Sequence, residues 1–435
     1  MSIIAGISTP IGSGAISIVR LSGEGALELA LRFFSSSSLK GEVEPNKMYL
    51  GTFSYGEIKD RCMFVYFRAP KSYTGEDMVE FQLHGGVRLT EEVLRALLLN
   101  GACMAKEGEF TRRAFLMGKI TLDEAEGVMA LINAESQAEI SSAYSVLKGK
   151  VSEKVAPICQ KLLDVLSYLE ASLDYPEEME DEVAEVPTVL QDVKESLTAL
   201  LSTAEKGKLV KNGISVALIG RPNAGKSSLL NAILKEDRAI VTDVAGTTRD
   251  TISESVLHNG VRINLLDTAG IRESVDLVEK LGIERSLSCA ESADVVVYLL
   301  DPTLNDEVDQ NVCKKLRGRL IVVNNKSDLA KGKSEYISIS AKEGLGIDEL
   351  LDEIIKDVKD CRAYGDLLTL DRHIDQVSGA LDRIKDAIKS IEDGQTVDCT
   401  LVDVRAAYKM LGEISGVDAT DKVLDQIFSK FCVGK

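Results

Sequence analysis

The stretch Gly220-Arg221-Pro222-Asn223-Ala224-Gly225-Lys226-Ser227 decides how the rest of this chain is interpreted. It has the form G-x-x-x-x-G-K-S, which is the phosphate-binding P-loop. The apolar run at 214–219 predicts a buried strand before it, and residues 228–234 predict a helix after it. In that context, backbone N–H groups and the positive end of a helix surround phosphate oxygens. The stretch therefore predicts a nucleotide site, with Lys226 at the β- and γ-phosphates and Ser227 on Mg²⁺.

Two further segments supply the parts of a site that senses the γ-phosphate. Residues 242–250 (Thr-Asp-Val-Ala-Gly-Thr-Thr-Arg-Asp) fit switch I, in which Thr248 would be a second Mg²⁺ ligand. Two predicted strands, 251–257 and 261–266, are joined by Asn-Gly, a strong hairpin signal. The second strand leads into Asp267-Thr268-Ala269-Gly270. There Asp267 would reach Mg²⁺ through water, and the Gly270 N–H would meet the γ-phosphate.

Two short motifs favour guanine as the base. The predicted strand at 320–324 leads into Asn325-Lys326-Ser327-Asp328, and Ser340-Ala341-Lys342 follows another strand and suits the loop at guanine O6. Asp328 can accept hydrogen bonds from guanine N1–H and the exocyclic amine, which adenine cannot donate, so the wrong base leaves a polar group unpaired. The residues predicted to bind GTP are Asn223, Ala224, Gly225, Lys226, Ser227, Ser228, Thr242, Asp243, Val244, Ala245, Gly246, Thr247, Thr248, Asp267, Thr268, Ala269, Gly270, Asn325, Lys326, Asp328, Ser340, Ala341 and Lys342.

Two positions depart from the pattern of Ras-type GTPases. Position 271 is Ile, where those proteins carry the Gln that orients the attacking water. Either hydrolysis is slow or another residue orients the water, and Glu279 is the catalytic candidate, although its spacing alone favours an ordinary solvated acid. Asn223 is also unusual, because a side-chain carbonyl in a P-loop can help bind a second cation.

The composition is that of a multidomain chain with reduced thiols. Of the 435 residues, 45% are hydrophobic, and the length predicts two or three domains. No apolar run reaches the roughly 18 residues that a membrane span needs, and residues 1–10 do not resemble a secretory signal. The eight cysteines are scattered without a C-x-x-C pair. This argues against structural zinc and favours a cytoplasmic location.

The net charge of −18 bears on possible partners. Bulk electrostatics repel nucleic acid. The excess of acidic residues lies beyond residue 120, whereas residues 1–120 are close to neutral. If the protein contacts RNA, the N-terminal part or a partner protein must supply the basic surface.

The segments that flank the nucleotide site differ in character. The N-terminal segment predicts strands at 15–21, 62–67 and 78–83 and a helix at 91–99. The apolar residues that follow recur at helical spacing. An acidic run at 174–185 is interpreted as a solvated turn, and a second helix is predicted over 188–209. The predicted fold class is multidomain α+β and α/β. The predicted boundaries are an α+β domain at 1–119, a helical domain formed by 120–210 and 361–435, and an inserted Ras-like P-loop GTPase domain at 211–360.

The chain resembles the tRNA modification GTPase family, called MnmE or TrmE, over essentially its whole length. Beyond the nucleotide motifs, the resemblance rests on Tyr-Thr-Gly-Glu-Asp at 73–77, His-Gly-Gly at 84–86, Gly-Glu-Phe-Thr-Arg-Arg-Ala-Phe at 108–115 and Phe-Cys-Val-Gly-Lys at 431–435. The Cys-x-Gly-Lys ending is very specific to that family. The resemblance implies a tetrahydrofolate-binding fold for the N-terminal domain. It also implies GTP-dependent modification of C5 of the wobble uridine (position 34) of certain tRNAs by an aminomethyl-type group.

The resemblance assigns roles to residues at both ends of the chain. Arg20, Glu80, Lys119 and Lys435 would bind 5-formyltetrahydrofolate or a related folate. The residues alone instead favour plain surface charges at Arg20 and Lys119 and a strand-face acid at Glu80. Cys432 would lie near the folate and is a candidate catalytic residue. Without the resemblance, it is predicted to be a buried apolar thiol at a helix end.

The resemblance also implies a potassium site and several partners. The Asn223 side chain and the backbones of Thr242, Val244 and Thr247 would bind K⁺, and Glu279 would orient the attacking water. The protein would form a homodimer through its N-terminal domains, pair its GTPase domains when K⁺ is bound, and join an FAD-dependent partner protein in a heterotetramer that acts on tRNA.

Two other functions compete with a tRNA-modifying enzyme. The first is a regulatory potassium-loop GTPase of the ribosome-assembly type, which shares Asn223 and the switch sequences but needs no folate pocket. The second is an ATP-using P-loop enzyme, against which Asn325 and Asp328 argue. The N-terminal segment and the Cys432–Lys435 tail distinguish the enzyme from the switch.

Overall fold

The computed structural model describes residues 2–175, 180–236, 252–266, 290–304, 307–314, 316–359, 364–417 and 419–434. The chain divides into two compact units. The first comprises 1–129, 147–159 and 408–435, and the second comprises 130–146 and 160–407. In the described part of the chain, no helix is both long and apolar enough to cross a membrane. The four predicted domain segments are a finer division and stay a prediction.

A mixed sheet forms the centre of the first unit. Its strands, all within residues 2–175, have the order β3-β4-β5-β6-β2-β1-β7. They are β1 (Ile4–Ile7), β2 (Ile16–Ser22), β3 (Phe34–Ser35), β4 (Met48–Tyr55), β5 (Ile58–Phe67), β6 (Met78–His84) and β7 (Cys103–Met104). Strands β2 and β6 are antiparallel, and their register sets Arg20 directly opposite Glu80. The ladder therefore brings together two residues that are distant in sequence.

One face of this sheet is covered by helices. α1 (Ala26–Leu31) and α2 (Val87–Leu99) pack on it. Beneath them lies an aromatic core in which Phe53, Phe64 and Phe81 are completely buried. The rings of Phe53 and Phe81 meet edge to face with centroids 5.3 Å apart, an arrangement that aromatic pairs prefer.

The opposite face of the sheet carries three exposed apolar side chains. Successive side chains of a strand point to opposite faces. Ile16 on β2 is 61% exposed, and Met48 and Leu50 on β4 are 50% and 46% exposed. By strand register, Arg20 and Glu80 belong to this same face.

Helices from both ends of the chain complete the first unit. α3 (Glu109–Leu116) and α4 (Leu122–Ile132) follow the sheet, and α15 (Asp421–Phe428) comes from the C-terminus. Their shared apolar cluster includes Leu122, Phe428 and Phe431. After α15, the tail bridges to the strand-like residue Glu107 through Val433. The C-terminal residues are thereby attached to the N-terminal sheet domain.

The second unit contains a P-loop type sheet. Among the described residues, its strand order is β13-β12-β11-β8-β10-β9. The strands are β8 (Ile214–Gly220), β9 (Ile252–His258), β10 (Val261–Leu266), β11 (Val295–Leu300), β12 (Arg319–Asn324) and β13 (Ile337–Ser338). All neighbouring strands are parallel except β9 and β10. The carboxyl ends of the parallel strands therefore meet at one edge, where ligands bind in such sheets.

The remaining described helices lie wholly or partly in the second unit. Their bounds are α5 (Gln137–Leu147), α6 (Lys150–Asp174), α7 (Glu180–Leu201), α8 (Ala204–Asn212), α9 (Lys226–Glu236), α10 (Gln310–Cys313), α11 (Ile347–Ile354), α12 (Lys356–Lys359), α13 (Asp371–Glu392) and α14 (Val397–Ser415). α7 and α13 pack against each other, and their buried faces carry Leu190, Leu197 and Val377. Segments before and after the P-loop sheet thus form one helical layer.

The helix predictions needed more correction than the strand predictions. The acidic run at 174–185 is not simply a turn, because α7 begins at Glu180. Acidic residues are stabilising near a helix N-terminus, so the charge run is compatible with a helix start. The helix predicted over 188–209 is two helices that break at Ser202 and Thr203, where the Thr203 hydroxyl donates to the Leu200 carbonyl. The helix predicted from 91 begins at Val87, after Gly86.

Candidate functional site

The P-loop lies at the carboxyl end of β8, between β11 and β10 in the sheet. Two residues with positive φ, Asn223 (63°) and Gly225 (98°), turn the chain so that α9 begins at Lys226. Asn is one of the few residues with a side chain that adopts this conformation readily. Glycine is required at 225, because an added Cβ would lie 2.1 Å from Asn325 Nδ2.

The helix start presents the predicted phosphate and cation ligands. Lys226 Nζ donates to the carbonyl oxygens of Gly220 at 2.7 Å and Arg221 at 3.0 Å, and burial lowers the pKa of its ammonium group. Asn223, Ser227 and Ser228 are exposed at the same loop. Exposed amide and hydroxyl oxygens beside a helix N-terminus suit an anion paired with a hard cation.

Asn325 connects three of the predicted nucleotide-binding segments. Its Nδ2 donates to the Ala224 carbonyl of the P-loop at 2.8 Å, and its Oδ1 accepts from the Ala341 N–H at 3.0 Å. The residue is only 2% exposed. Each bond is made where water cannot replace it, so its loss is costly. Asn325 thus acts on the geometry of the loops that surround it.

The other residues of the predicted base site hold one another in place. Asp328 Oδ1 accepts from the Ser340 hydroxyl at 2.6 Å, which fixes the carboxylate that is predicted to recognise guanine. Lys326 has φ +59° and pairs with Asp301 at 2.5 Å. Burial tends to raise the pKa of Asp301, but hydrogen bonds from Lys326 and Thr303 hold it below its usual value. Ala341 is buried and Lys342 is exposed beside this cluster.

The remaining predicted nucleotide and cation residues lie outside the described residues. They are Thr242, Asp243, Val244, Ala245, Gly246, Thr247, Thr248, Asp267, Thr268, Ala269, Gly270 and Glu279. Their roles as switch I, K⁺ ligands, γ-phosphate contacts and water-orienting acid therefore stay predictions.

A cavity of about 560 Å³ lies in the first unit, and three of the four predicted folate residues line it. The full lining is Arg20, Asn46, Phe67, Lys71, Ser72, Tyr73, Met78, Glu80, Lys119 and Val128. The fourth predicted residue, Lys435, lies outside the described residues. A pocket of this size with an apolar wall and a few charged groups is typical of a small-molecule site.

Arg20 makes an ion pair and two aromatic contacts at this pocket. Its Nε and Nη2 both lie 2.8 Å from Glu80 Oε1, and its guanidinium carbon is 5.5 Å from the ring centroids of Tyr73 and Phe110. Burial raises the pKa of the Tyr73 phenol, whose hydroxyl is 2.9 Å from the Thr111 hydroxyl. Ion pairing and aromatic contacts together fix the guanidinium plane.

Lys119 reaches the same pocket from another segment. Its Nζ donates to the Pro70 carbonyl at 3.0 Å. Gly75, with φ +81°, allows its approach, since an added Cβ would lie 3.2 Å from Lys119 Cγ and 3.1 Å from Met117 Cβ. The Tyr-Thr-Gly-Glu-Asp stretch therefore shapes one wall of the pocket.

The C-terminal tail is attached beside Arg20. The Gly434 carbonyl accepts from the Ser8 hydroxyl at 2.9 Å and from Arg20 Nη1 at 3.5 Å. The Cys432 carbonyl accepts from the Gly108 N–H at 3.4 Å. Cys432 itself is exposed and does not line the cavity. Its catalytic role stays a prediction.

Sequence reasoning missed a buried ion-pair network behind the pocket. Arg113, only 5% exposed, donates to Glu76 Oε2 at 2.9 Å and to Glu109 Oε1 at 3.0 Å. Glu76 also accepts from the Ser22 hydroxyl at 2.8 Å. The network joins the stretches at 73–77 and 108–115, and their charged residues were the only signal of it in the sequence.

These features define the class of the protein: a P-loop GTPase that carries a separate α+β unit with its own pocket. A family model described as "GTP-binding protein TrmE N-terminus" matches residues 3–119, and one described as "MnmE helical domain" matches residues 122–432. The second match encloses the P-loop segment. The predicted fold class, with α+β, helical and Ras-like α/β parts, is confirmed.

Curated relatives match the chain from end to end. The protein named tRNA modification GTPase MnmE from Thermotoga petrophila is 39% identical, with 100% of both chains covered. Those of Aquifex aeolicus (40%, covering 99% of each chain) and Lactococcus lactis subsp. cremoris strain MG1363 (41%, covering 99% of this chain and 98% of the other) are similar. The chain belongs to the family of tRNA modification GTPases, and it is a GTP hydrolase.

The solved structures that match this chain are less similar to it than the curated relatives are. The crystal structure of Era in complex with MgGDPNP and nucleotides 1506–1542 of 16S ribosomal RNA is 33% identical over 33% of this chain and 56% of that chain. Its TM-score is 0.25, which is too low for any further conclusion.

Proposed function

We propose that the protein hydrolyses GTP in a K⁺- and dimerisation-dependent way and uses the cycle to modify tRNA. With an FAD-dependent partner protein and a folate one-carbon donor, it adds an aminomethyl-type group to C5 of the wobble uridine. The single observation that carries this proposal is the cavity that brings Arg20, Glu80 and Lys119 together beside the C-terminal tail. A GTPase that acted only as a switch would have no use for such a pocket.

The pocket fits a folate by the chemistry of its walls. Arg20 uses only one oxygen of Glu80, so the second carboxylate oxygen can accept from the ring N–H and amino groups of a pterin. Lys71 and Lys119 supply positive charge for the carboxylates of the glutamate portion. Phe67, Tyr73 and Met78 offer an apolar surface to the ring system. A bound formyl-folate supplies the one-carbon group, and the chain's residues bind and orient it.

The nucleotide site fits GTP with Mg²⁺ and K⁺. Ser227 and Thr248 are the proposed Mg²⁺ ligands, and the exposed side chain of Asn223 is the described part of the proposed K⁺ site. Thr242, Val244 and Thr247 would add backbone carbonyls. Bound K⁺ supplies positive charge where other GTPases use an arginine, and Glu279 is proposed to orient the water.

A second copy of the chain is the proposed partner on the sheet face opposite the helices. Ile16, Met48 and Leu50 are exposed on that face, and exposed apolar side chains can mark a protein interface. The same face carries Arg20 and Glu80. A homodimer formed here would therefore adjoin the pocket. The FAD-dependent protein would then complete a heterotetramer that binds tRNA in the cytoplasm, where the free thiols of the six described cysteines are stable.

The proposal is tested by binding of 5-formyltetrahydrofolate to the full-length protein, measured by isothermal titration calorimetry. Arg20→Ala and Glu80→Gln should each weaken binding by about 10- to 100-fold, because each removes a charge-assisted contact in a buried site. Arg95→Ala is the matched control, since Arg95 is an exposed α2 residue whose only close ion-pair partner, at 3.9 Å, is Glu92 among the described residues.

The two possible outcomes separate the enzyme from the switch. Saturable binding that falls in both pocket variants and not in Arg95→Ala supports the proposal. A wild-type protein that binds GTP but no formyl-folate would contradict it and would favour a regulatory GTPase of the ribosome-assembly type.

A further inference from the structure

The β9–β10 hairpin occupies a special place in the nucleotide-binding sheet. β9 begins directly after the segment predicted as switch I, and β10 ends directly before the Asp267–Gly270 motif. Any change of the two switches with the nucleotide therefore acts on both strands at the same end of the hairpin, where Leu266 pairs with Ile252. The turn at Asn259 and Gly260 forms the opposite end of the hairpin.

This turn is attached to the start of helix α5. The Ala138 N–H donates to the Gly260 carbonyl at 3.0 Å. The contact is close, because a Cβ on Gly260 would lie 2.9 Å from Gln137 Oε1. Ala138 is 2% exposed and belongs to the same apolar core as Val210 and Val261. The hairpin and α5 are thus packed together as well as hydrogen-bonded.

Arg262, the second residue of β10, extends this attachment with charge. Its Nη1 pairs with Glu135 Oε2, and its Nε lies 3.3 Å from Glu139 Oε1. Its Nη2 donates to the Lys211 carbonyl at the end of α8 at 3.2 Å. One guanidinium therefore bridges the hairpin, the start of α5 and the chain that enters the nucleotide-binding sheet.

The carboxylates that pair with Arg262 lie at the N-terminal cap of α5. Ser136 and Glu139 make a capping box, in which the Glu139 N–H donates to the Ser136 hydroxyl at 3.2 Å and Glu139 Oε2 accepts from the Glu135 N–H at 2.9 Å. Burial raises the pKa of the Glu139 carboxyl, while Arg262 and these hydrogen bonds oppose the increase. Displacement of Arg262 therefore disturbs the groups that fix the first turn of α5.

We infer that Arg262 is a positioning residue that couples the nucleotide state of the switches to the helical segment at α5. In this account, the nucleotide moves the hairpin, Arg262 carries the movement to Glu135 and Glu139, and the first turn of α5 tightens or loosens in response. The coupling rests on the GTP-dependent switching of the proposed function. It adds a route by which a conformational change at the nucleotide site reaches α5.

Hydrogen–deuterium exchange of the full-length protein tests this path. Exchange is compared between GDP and a non-hydrolysable GTP analogue for peptides covering 136–146 and, as an internal reference, the P-loop at 220–230. In the wild type, both peptides should change with the nucleotide. In Arg262→Ala, the change at 136–146 should fall at least about fivefold while the P-loop change remains, in keeping with typical coupling energies.

Further variants exclude a merely structural role. Arg262→Lys keeps the charge but places it on a single ammonium nitrogen, which cannot meet all the partners of the forked guanidinium, so it should restore part of the response. Glu139→Gln keeps a capping side chain but removes the charge that faces Arg262, and the double variant with Arg262→Ala should lose no more than either single variant. Arg319→Ala is the matched control, because Arg319, on β12 of the same sheet, pairs with Glu353 at 3.1 Å and Asp357 at 3.3 Å and, among the described residues, forms no ion pair with α5.

The outcomes distinguish this inference from the proposed function. An undiminished response at 136–146 in Arg262→Ala would overturn the inference, as would a wild type whose P-loop responds to the nucleotide while 136–146 does not. Equal loss in Arg319→Ala would also overturn it, because the effect would then be general. A P-loop that shows no nucleotide response would instead contradict GTP binding.

Discussion

Asn325 shows how a single buried side chain can organise a binding site that it was predicted only to line. The sequence placed it in the guanine-recognition motif, and the structure adds its bonds to Ala224 and Ala341. No pattern in the sequence indicated those bonds, because they join Asn325 to residues 101 and 16 positions away, in two other loops. The amide therefore acts on the P-loop and on the base loop at once.

Asn325→Ala should lower the affinity for GDP by about 10- to 100-fold, because two buried hydrogen bonds are lost and their partners are left unsatisfied. Titration calorimetry and the melting temperature measure the effect. Asn324→Ala is the matched control: Asn324 is equally buried, but its Nδ2 donates to Lys333 at 2.8 Å. It should lose stability with less than about a threefold change in affinity. Equal affinity losses in the two variants would contradict a bridging role for Asn325.

The strand–loop–helix context of the P-loop was predictable, because one motif fixes one local geometry. Asn223, Gly225 and Lys226 lie on a strand–loop–helix turn as the P-loop pattern predicts. The partners of Arg113 and Arg262 were not predictable, because an arginine in a sequence does not reveal which distant carboxylate it meets. Such pairs depend on strand register and helix packing, which single-sequence patterns do not specify.

The C-terminal tail illustrates how an element can be positioned by backbone shape. Gly434 is buried with φ +96°, and a Cβ there would lie 1.9 Å from the Ile7 carbonyl oxygen. Only glycine allows the tail to pass so close to the end of β1. This passage sets the Gly434 carbonyl beside Arg20 and fixes the chain on which Cys432 lies.

Gly434→Ala should release the tail and weaken formyl-folate binding by about 10-fold or more, since Arg20 loses a neighbour that helps to hold it. Exchange protection in 429–434 should fall, whereas the melting temperature should change little. Gly101→Ala serves as the control, because Gly101 also has positive φ (119°) but no atom lies within 4 Å of an added Cβ. Full folate affinity in Gly434→Ala would show that the tail does not support the pocket.

Among the elements, strands were predicted better than helices. β10 was predicted with the bounds that the structure has, Val261–Leu266, because β-branched and apolar residues end at clear turn signals. The start of α7 at Glu180 was missed, because a run of acids was interpreted as solvated chain. The division of α7 from α8 was missed because helical spacing continues through the break.

At the scale of the whole molecule, the chain combines two sites in two compact units. The P-loop lies in one unit, and the pocket of Arg20, Glu80 and Lys119 lies in the other. The fold class was predictable because each unit has its own spacing of apolar residues along the sequence and its own motifs. The sheet orders were not, because strand order depends on contacts between distant segments. Arg262 is the residue through which we expect the nucleotide site to act on α5.

The most direct test of the proposed GTPase mechanism is the GTP hydrolysis rate of the purified protein in K⁺ and in Na⁺ at equal ionic strength. We predict a rate at least about tenfold higher in K⁺, because a correctly placed positive charge stabilises the transition state. Asn223→Ala should remove this stimulation while GTP remains bound, and Glu279→Ala should lower the rate in K⁺ without loss of binding. Equal wild-type rates in the two salts, or full K⁺ stimulation in Asn223→Ala, would contradict the account.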